Sequence, residues 1–197
     1  MTADPTPTTA DATGDLPSPR DVLVFWFEEV GAEKWFVRDG DVDAAITSRF
    51  KALHEHLARE QPSHWTDTTI ARLALVIALD QFPRNIWRGS AHAFATDGLA
   101  LEHARVLRDD PRTAELSDVQ KLFAYIPFEH SEDMADQEEA VRLIEPLGPG
   151  GENSYGDYAR RHRDVIERFG RFPHRNAALG RETTAEEQRY LDGGGGF

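Results

Sequence analysis

The chain's apolar positions recur at three- and four-residue spacing almost from end to end, and they predict helices. Ser18 followed by Pro19 reads as a helix cap with proline in the first turn. A first helix over Arg20 to Val30 then places Val22, Phe25, Trp26 and Val30 on one stripe, with Gly31 to end it. A second, Val42 to Arg59, carries Ala45, Ile46, Phe50, Leu53 and Leu57 at the same spacing. The third begins at a Thr66 or Asp67 cap and runs to Phe82. Its stretch Leu73 to Leu79 is apolar on every side, so it belongs at the centre of the fold. Pro83 is expected to break it.

A fourth helix is predicted from about Phe94 to Arg108. A fifth runs from a Ser117 cap to Ile126, where Pro127 intervenes. A sixth starts near Ser131, with Glu132 and Asp133 in a first turn that favours acids, and ends at Pro146. A seventh spans Tyr155 to Phe169, and a short last one Thr184 to Leu191. No alternating pattern marks a strand. The expectation is all-α: seven or eight helices joined by short loops, neighbours antiparallel. The pattern divides the chain into an N-terminal tail, 1–17, a single helical domain, 18–192, and a Gly-rich C-terminal tail, 193–197, with Phe197 placed to tuck into an apolar slot.

Composition adds constraints. The chain has 197 residues, 40% of them hydrophobic, and no cysteine, which removes disulfides, thiolate metal sites and a thiol nucleophile and fits a reducing cytoplasm. The net charge of −13 repels polyanions and argues against nucleic-acid and anionic-membrane partners. No apolar run reaches the roughly 18–20 residues of a membrane span. Residues 1–17 lack both a basic and an apolar segment, so they read as a disordered tail rather than a targeting signal.

The candidate chemistry sits where helices end. Residues 79–90, LDQFPRNIWRGS, and 169–176, FGRFPHRN, both place Phe-Pro and then Arg-Asn after an apolar helical run. Phe82 and Phe172 would anchor the two exits in the core. Asp80 lies at the negative end of a buried helix and needs cationic company. Arg84 and Arg88 from the first exit, and Arg171 and Arg175 from the second, can supply it. Either these groups form an internal ion-pair lattice, or the arginines, with Asn85, Asn176 and His174, line a pocket for a small carboxylate or phosphate. Cations on either side of His174 favour its neutral form.

A third stretch, PFEHSED, residues 127–133, concentrates Glu129, His130 and Asp133. In a helix that includes His130, the residues His130, Asp133 and Gln137 share one face and could serve as an acid–base pair or hold a divalent ion. Alternatively Ser131 is a cap and His130 an ordinary loop residue. No closed metal-ligand spacing is present, and no cofactor is indicated. His162, on the apolar stripe of the seventh helix, reads as a core histidine.

The stretches LALVIALDQFPRNIWRG, YIPFEHSEDMADQ and RFGRFPHRNAALGRETTAEE, with the terminal Gly-Gly-Phe, together resemble a bacterial family, domain of unknown function 924. The resemblance covers about residues 20–197 and implies a tetratricopeptide-like stack of helical pairs. It carries no activity and no catalytic residue. The chain lacks the roughly 34-residue period of true repeats of that type. Two functions stay open on these residues: a binding module for a small anion, or an enzyme acting on an anionic substrate through Glu129, His130 and Asp133.

Overall fold

The computed structural model describes residues 16–152 and 154–197 and, among them, contains helices and no strand. Residues 1–15 of the expected N-terminal tail lie outside the described residues. Eight α-helices follow in order: α1 Pro19–Val24, α2 Gly40–Leu57, α3 Thr69–Ile86, α4 Asp97–Asp109, α5 Asp118–Glu129, α6 Met134–Ile144, α7 Tyr155–Phe169 and α8 Ala185–Asp192. Helix α1 continues directly into a wider π-helical turn, Phe25–Val30, which ends at Gly31 with φ of 76°.

Short polar residues start most of these helices. Ser18, Ser117 and Thr184 each close a reciprocal capping box, and Asp39, Thr68, Asp133 and Ser154 accept from the first-turn amides of α2, α3, α6 and α7. The α3 cap is therefore Thr68, two residues beyond the first cap the sequence suggests.

Helix α3 occupies the centre, packing on α1, α2, α4 and α5, while α5, α6 and α7 continue the succession. Leu73 through Leu79 are fully buried, as the all-round apolar run requires. Trp26, Phe50, Phe82 and Phe123 interlock around it. A smaller cluster of Val165, Ile166 and Phe172, backed by Met134, Phe169 and Tyr190, seats the second exit under α8.

Four expectations about boundaries are corrected. Pro83 does not break α3, which runs on to Ile86, nor does Pro127 stop α5. Proline removes the amide that would bond the carbonyl four residues back. For Pro83 that carbonyl is Leu79 O, and the Thr96 hydroxyl donates to it at 2.6 Å instead. The sixth helix starts at Met134 rather than Ser131, because the cap is Asp133, whose carboxylate accepts from Ala135 N at 2.8 Å. The fourth opens as a separate 3-10 turn, Ala91–Phe94, with α4 beginning at Asp97.

Candidate functional site

Asp80 is fully buried in the last turns of α3, and three side chains donate to it. His130 Nδ1 donates to Oδ1 at 2.8 Å and Gln81 Nε2 to Oδ2 at 2.5 Å. Arg84 Nη1 lies 3.4 Å from Oδ1 and donates to the Asp80 carbonyl at 2.5 Å. Burial alone would raise this carboxyl. The Arg84 guanidinium, His130 and the hydrogen bonds outweigh burial and hold it at about 2.

Arg84 also grips Asp97 with both terminal nitrogens, at 2.8 and 2.9 Å. Burial disfavours its charge, but two carboxylates more than restore it and the guanidinium is raised. Asp97 stands at the first position of α4, where an acid looks like an ordinary answer to the helix dipole, so nothing in the sequence marks it as the second carboxylate of the cluster.

The second exit reaches the same place through Arg175, whose Nη1 lies 3.5 Å from Asp97 Oδ2 and donates to His130 O at 3.0 Å. Its guanidinium is sandwiched between Phe94 and Phe172, at 4.8 and 4.4 Å from the ring centroids. The side chain is 8% exposed. Burial and then the Arg84 charge pull this cation down to about 10. The two exits thus meet at Asp97, with one arginine fully compensated and the other not.

The difference is visible in hydrogen bonds. Other arginines clamp carboxylates with two nitrogens: Arg88 holds Asp43 and Arg171 holds Glu187 through Nε and an Nη, while Arg84 holds Asp97 and Arg181 holds Glu132 through Nη1 and Nη2. Among the described residues Arg175 bonds only through Nη1, and its Nε is buried without a partner there, as is that of Arg181. The adjacent His174 Nδ1 is also buried without a partner. Burial, then Arg175, push His174 down to about 4, which agrees with the neutral imidazole expected from its sequence neighbours.

Other predicted site residues are elsewhere. Asn85 and Arg88 both bond Asp43 at the start of α2. Asn176 lies 3.3 Å from Glu187, the carboxylate that Arg171 holds. Asp133 caps α6. Glu129 Oε1 lies 2.8 Å from His162 Nδ1 rather than facing an arginine; that nitrogen donates to Tyr158 O at 2.9 Å, and His162 is buried, as a core histidine should be. Glu132 takes Arg181 at 2.7 Å and the Phe172 amide at 2.8 Å. The shared helical face of His130, Asp133 and Gln137 does not form. His130 is the C-cap of α5, and Gln137 instead donates to Glu129 O and Ser131 O at 2.7 and 2.6 Å. Nor is His130 an ordinary loop residue, since its bond to Asp80 ties two helix ends together. No cluster of three His, Cys, Asp or Glu able to hold a metal occurs among the described residues. Two cavities, of roughly 370 and 430 Å3, lie away from this cluster, lined by Thr69, Arg72 and Asp110 and by Leu23 and Ile70 respectively. No helix among the described residues is long and apolar enough to cross a membrane.

Comparison with known proteins agrees with this architecture. A family model described as bacterial protein of unknown function (DUF924) matches residues 22–195. A solved structure of a protein of unknown function from Agrobacterium tumefaciens is 43% identical, with a TM-score of 0.82, over 89% of this chain and 97% of that one. Among curated proteins nothing matches.

Proposed function

The chain belongs to that bacterial family of unknown function, matched over residues 22–195, and within it we propose that this protein is a binding module whose Arg175 captures a small carboxylate or phosphate. We read the successive helices as a tetratricopeptide-like scaffold that holds the arginine in place. The observation that carries the reading is the unpartnered Nε of a buried guanidinium. Arg175 keeps its charge in a site where burial and Arg84 both work against it. A bidentate anion on Nε and Nη2 would satisfy the orphaned donor and supply the missing compensation. Arg84 cannot play this part, because Asp80 and Asp97 already occupy it.

A ligand that binds only the folded state stabilises it by mass action, by about 2.7 kcal/mol at a hundredfold excess over Kd. For a chain of this length that corresponds to a rise of about 5–10 °C in melting temperature. Phosphate or acetate is expected to produce such a rise, and chloride at equal ionic strength is not, because it screens without bidentate bonding. Arg175→Lys keeps the charge and the stem between the rings but has no planar fork, so it should stay folded and lose the anion-specific rise. An equal rise in both proteins would refute the assignment to Arg175.

One observation favours a second reading, proton transfer. Asp80 orients His130 through Nδ1, burial and Arg84 hold the imidazole below its ordinary value and neutral, and Nε2 has no partner among the described residues. That reading needs a bound ligand within reach of His130 Nε2. A ligand-bound structure with the ligand out of its reach would exclude it.

A further inference from the structure

Next to Arg175 the chain fills a recess with one of its own side chains. Phe197 stacks on the His162 imidazole with ring centroids 3.5 Å apart and planes 14° from parallel. It meets Phe172 at 6.2 Å and His174 at 5.9 Å, both nearly perpendicular. The same Phe172 ring carries the Arg175 guanidinium. The slot of aromatic rings and the guanidinium whose Nε has no partner among the described residues therefore share the Phe172 ring.

The path that brings Phe197 there admits little but glycine. A Cβ on Gly195 would lie 2.5 Å from the Tyr190 ring. Gly196 has φ of +126°, and its Cβ would stand 3.3 Å from His174 Cβ. These glycines do more than lengthen a spacer: they let the backbone lie flat against Tyr190 and His174. Free glycine has the most conformational freedom of any residue, so seating the segment is entropically costly and the ring contacts must offset it. Phe197 nevertheless stays 50% exposed. A half-buried ring on a glycine segment is an occupant that a better ring can displace.

We propose that the slot of His162, Phe172 and His174 is the aromatic half of the Arg175 site, that Phe197 is its built-in occupant, and that the ligand class is a small aryl acid. The planar ring would replace Phe197, since flat faces and perpendicular edges are the two arrangements aromatic rings prefer. The carboxylate or phosphate would take the Nε/Nη2 edge of Arg175. The acid half of this assignment rests on the anion reading above, whereas the ring half rests on Phe197 and its contacts alone.

The test titrates phenylacetate, acetate and benzyl alcohol into the wild-type protein, Phe197→Ala and Arg175→Lys, following melting temperature and the histidine ring protons by NMR. Stacking under Phe197 should displace the His162 ring protons upfield, and Phe197→Ala should abolish that displacement. Removing the built-in ring should tighten phenylacetate binding by about tenfold, the scale of one aromatic pair, and leave acetate unchanged. Benzyl alcohol should bind Phe197→Ala more tightly than wild type, and Arg175→Lys should lose acetate. Absence of the upfield displacement in wild type would overturn the occupancy by Phe197. Equal phenylacetate affinity in wild type and Phe197→Ala, with acetate still binding, would overturn the aromatic subsite and spare the anion reading. Benzyl alcohol binding without any acetate or phenylacetate response would overturn the aryl-acid class together with the anion reading.

Discussion

Two arginines of similar sequence context end up in opposite situations. Arg84 lies between Asp80 and Asp97, while among the described residues Arg175 pairs with Asp97 alone and leaves its Nε without a partner. The burial and pairing of Asp80 were legible in the sequence, because an acid at the negative end of an apolar helix has few other ways to persist. The neutrality of His174 was legible for the same kind of reason. What could not be read was Asp97, whose first-turn position has a local explanation, or which rings wall the slot expected for Phe197, which depends on where α7 and the second exit meet. The diversion of Asn85 and Arg88 to Asp43, and of Asn176 and Arg171 to Glu187, was likewise hidden: each partner is a helix-terminal acid like many others here. Asp80→Ala would strand Arg84 next to a cavity and leave His130 without its acceptor. Breaking a buried pair by removing one partner costs about 3–5 kcal/mol, so the urea midpoint should fall clearly. An unmoved midpoint would mean that Asp97 alone compensates Arg84.

At the scale of elements, the sequence located eight helices but misjudged prolines. A proline inside a helix costs about 3 kcal/mol when nothing replaces the missing bond. Around Pro83 side chains supply donors, two of them from distant parts of the chain. His54 Nδ1 donates to Ala78 O at 2.9 Å, Thr96 Oγ1 to Leu79 O at 2.6 Å and Arg84 Nη1 to Asp80 O at 2.5 Å. Three consecutive carbonyls thus have side-chain donors, and α3 continues long enough to carry Arg84 and Asn85 on helical backbone. Thr96→Val should cost about 1–3 kcal/mol by leaving a buried carbonyl unpaired. In a Pro83→Ala background the backbone amide restored at position 83 can make that bond, so the same substitution should cost less than about 1 kcal/mol. Equal costs in the two backgrounds, measured by denaturant unfolding, would show that Thr96 does not compensate for the proline. The α6 boundary was missed for a smaller reason: Ser131 and Asp133 are both good caps, and Asp133 wins while Ser131 donates to Asp136 at 2.8 Å.

For the whole molecule, the buried imidazoles set the response to acid. Burial lowers His54, His103, His130 and His174, and neighbouring arginines lower the last three further. The unfolded chain therefore binds more protons than the folded one from the ordinary imidazole value near 6.5 down to about 4 for His174. Stability is present above that window and is lost as the pH falls through it. Asp80, held at about 2, adds a loss of the same sign below the ordinary carboxylate value of 3.8. Unfolding free energy should be nearly flat above about pH 7 and decline steeply between about 6.5 and 4, and His174→Gln should reduce that slope; a flat profile down to about pH 4.5 would contradict the burial of these rings. The −13 charge, which argues against polyanionic partners, leaves room for a small anion only where a cation is both sheltered and under-compensated. Arg175 fits that description. The most direct measurement is the 1H–15N resonance of Arg175 Nε during titration with acetate. The account predicts a large, saturable downfield shift of that one resonance, with the Arg84 Nε signal unmoved and no effect of chloride. A resonance that stays in place while acetate saturates the protein, or that shifts no more than Arg84, would contradict it.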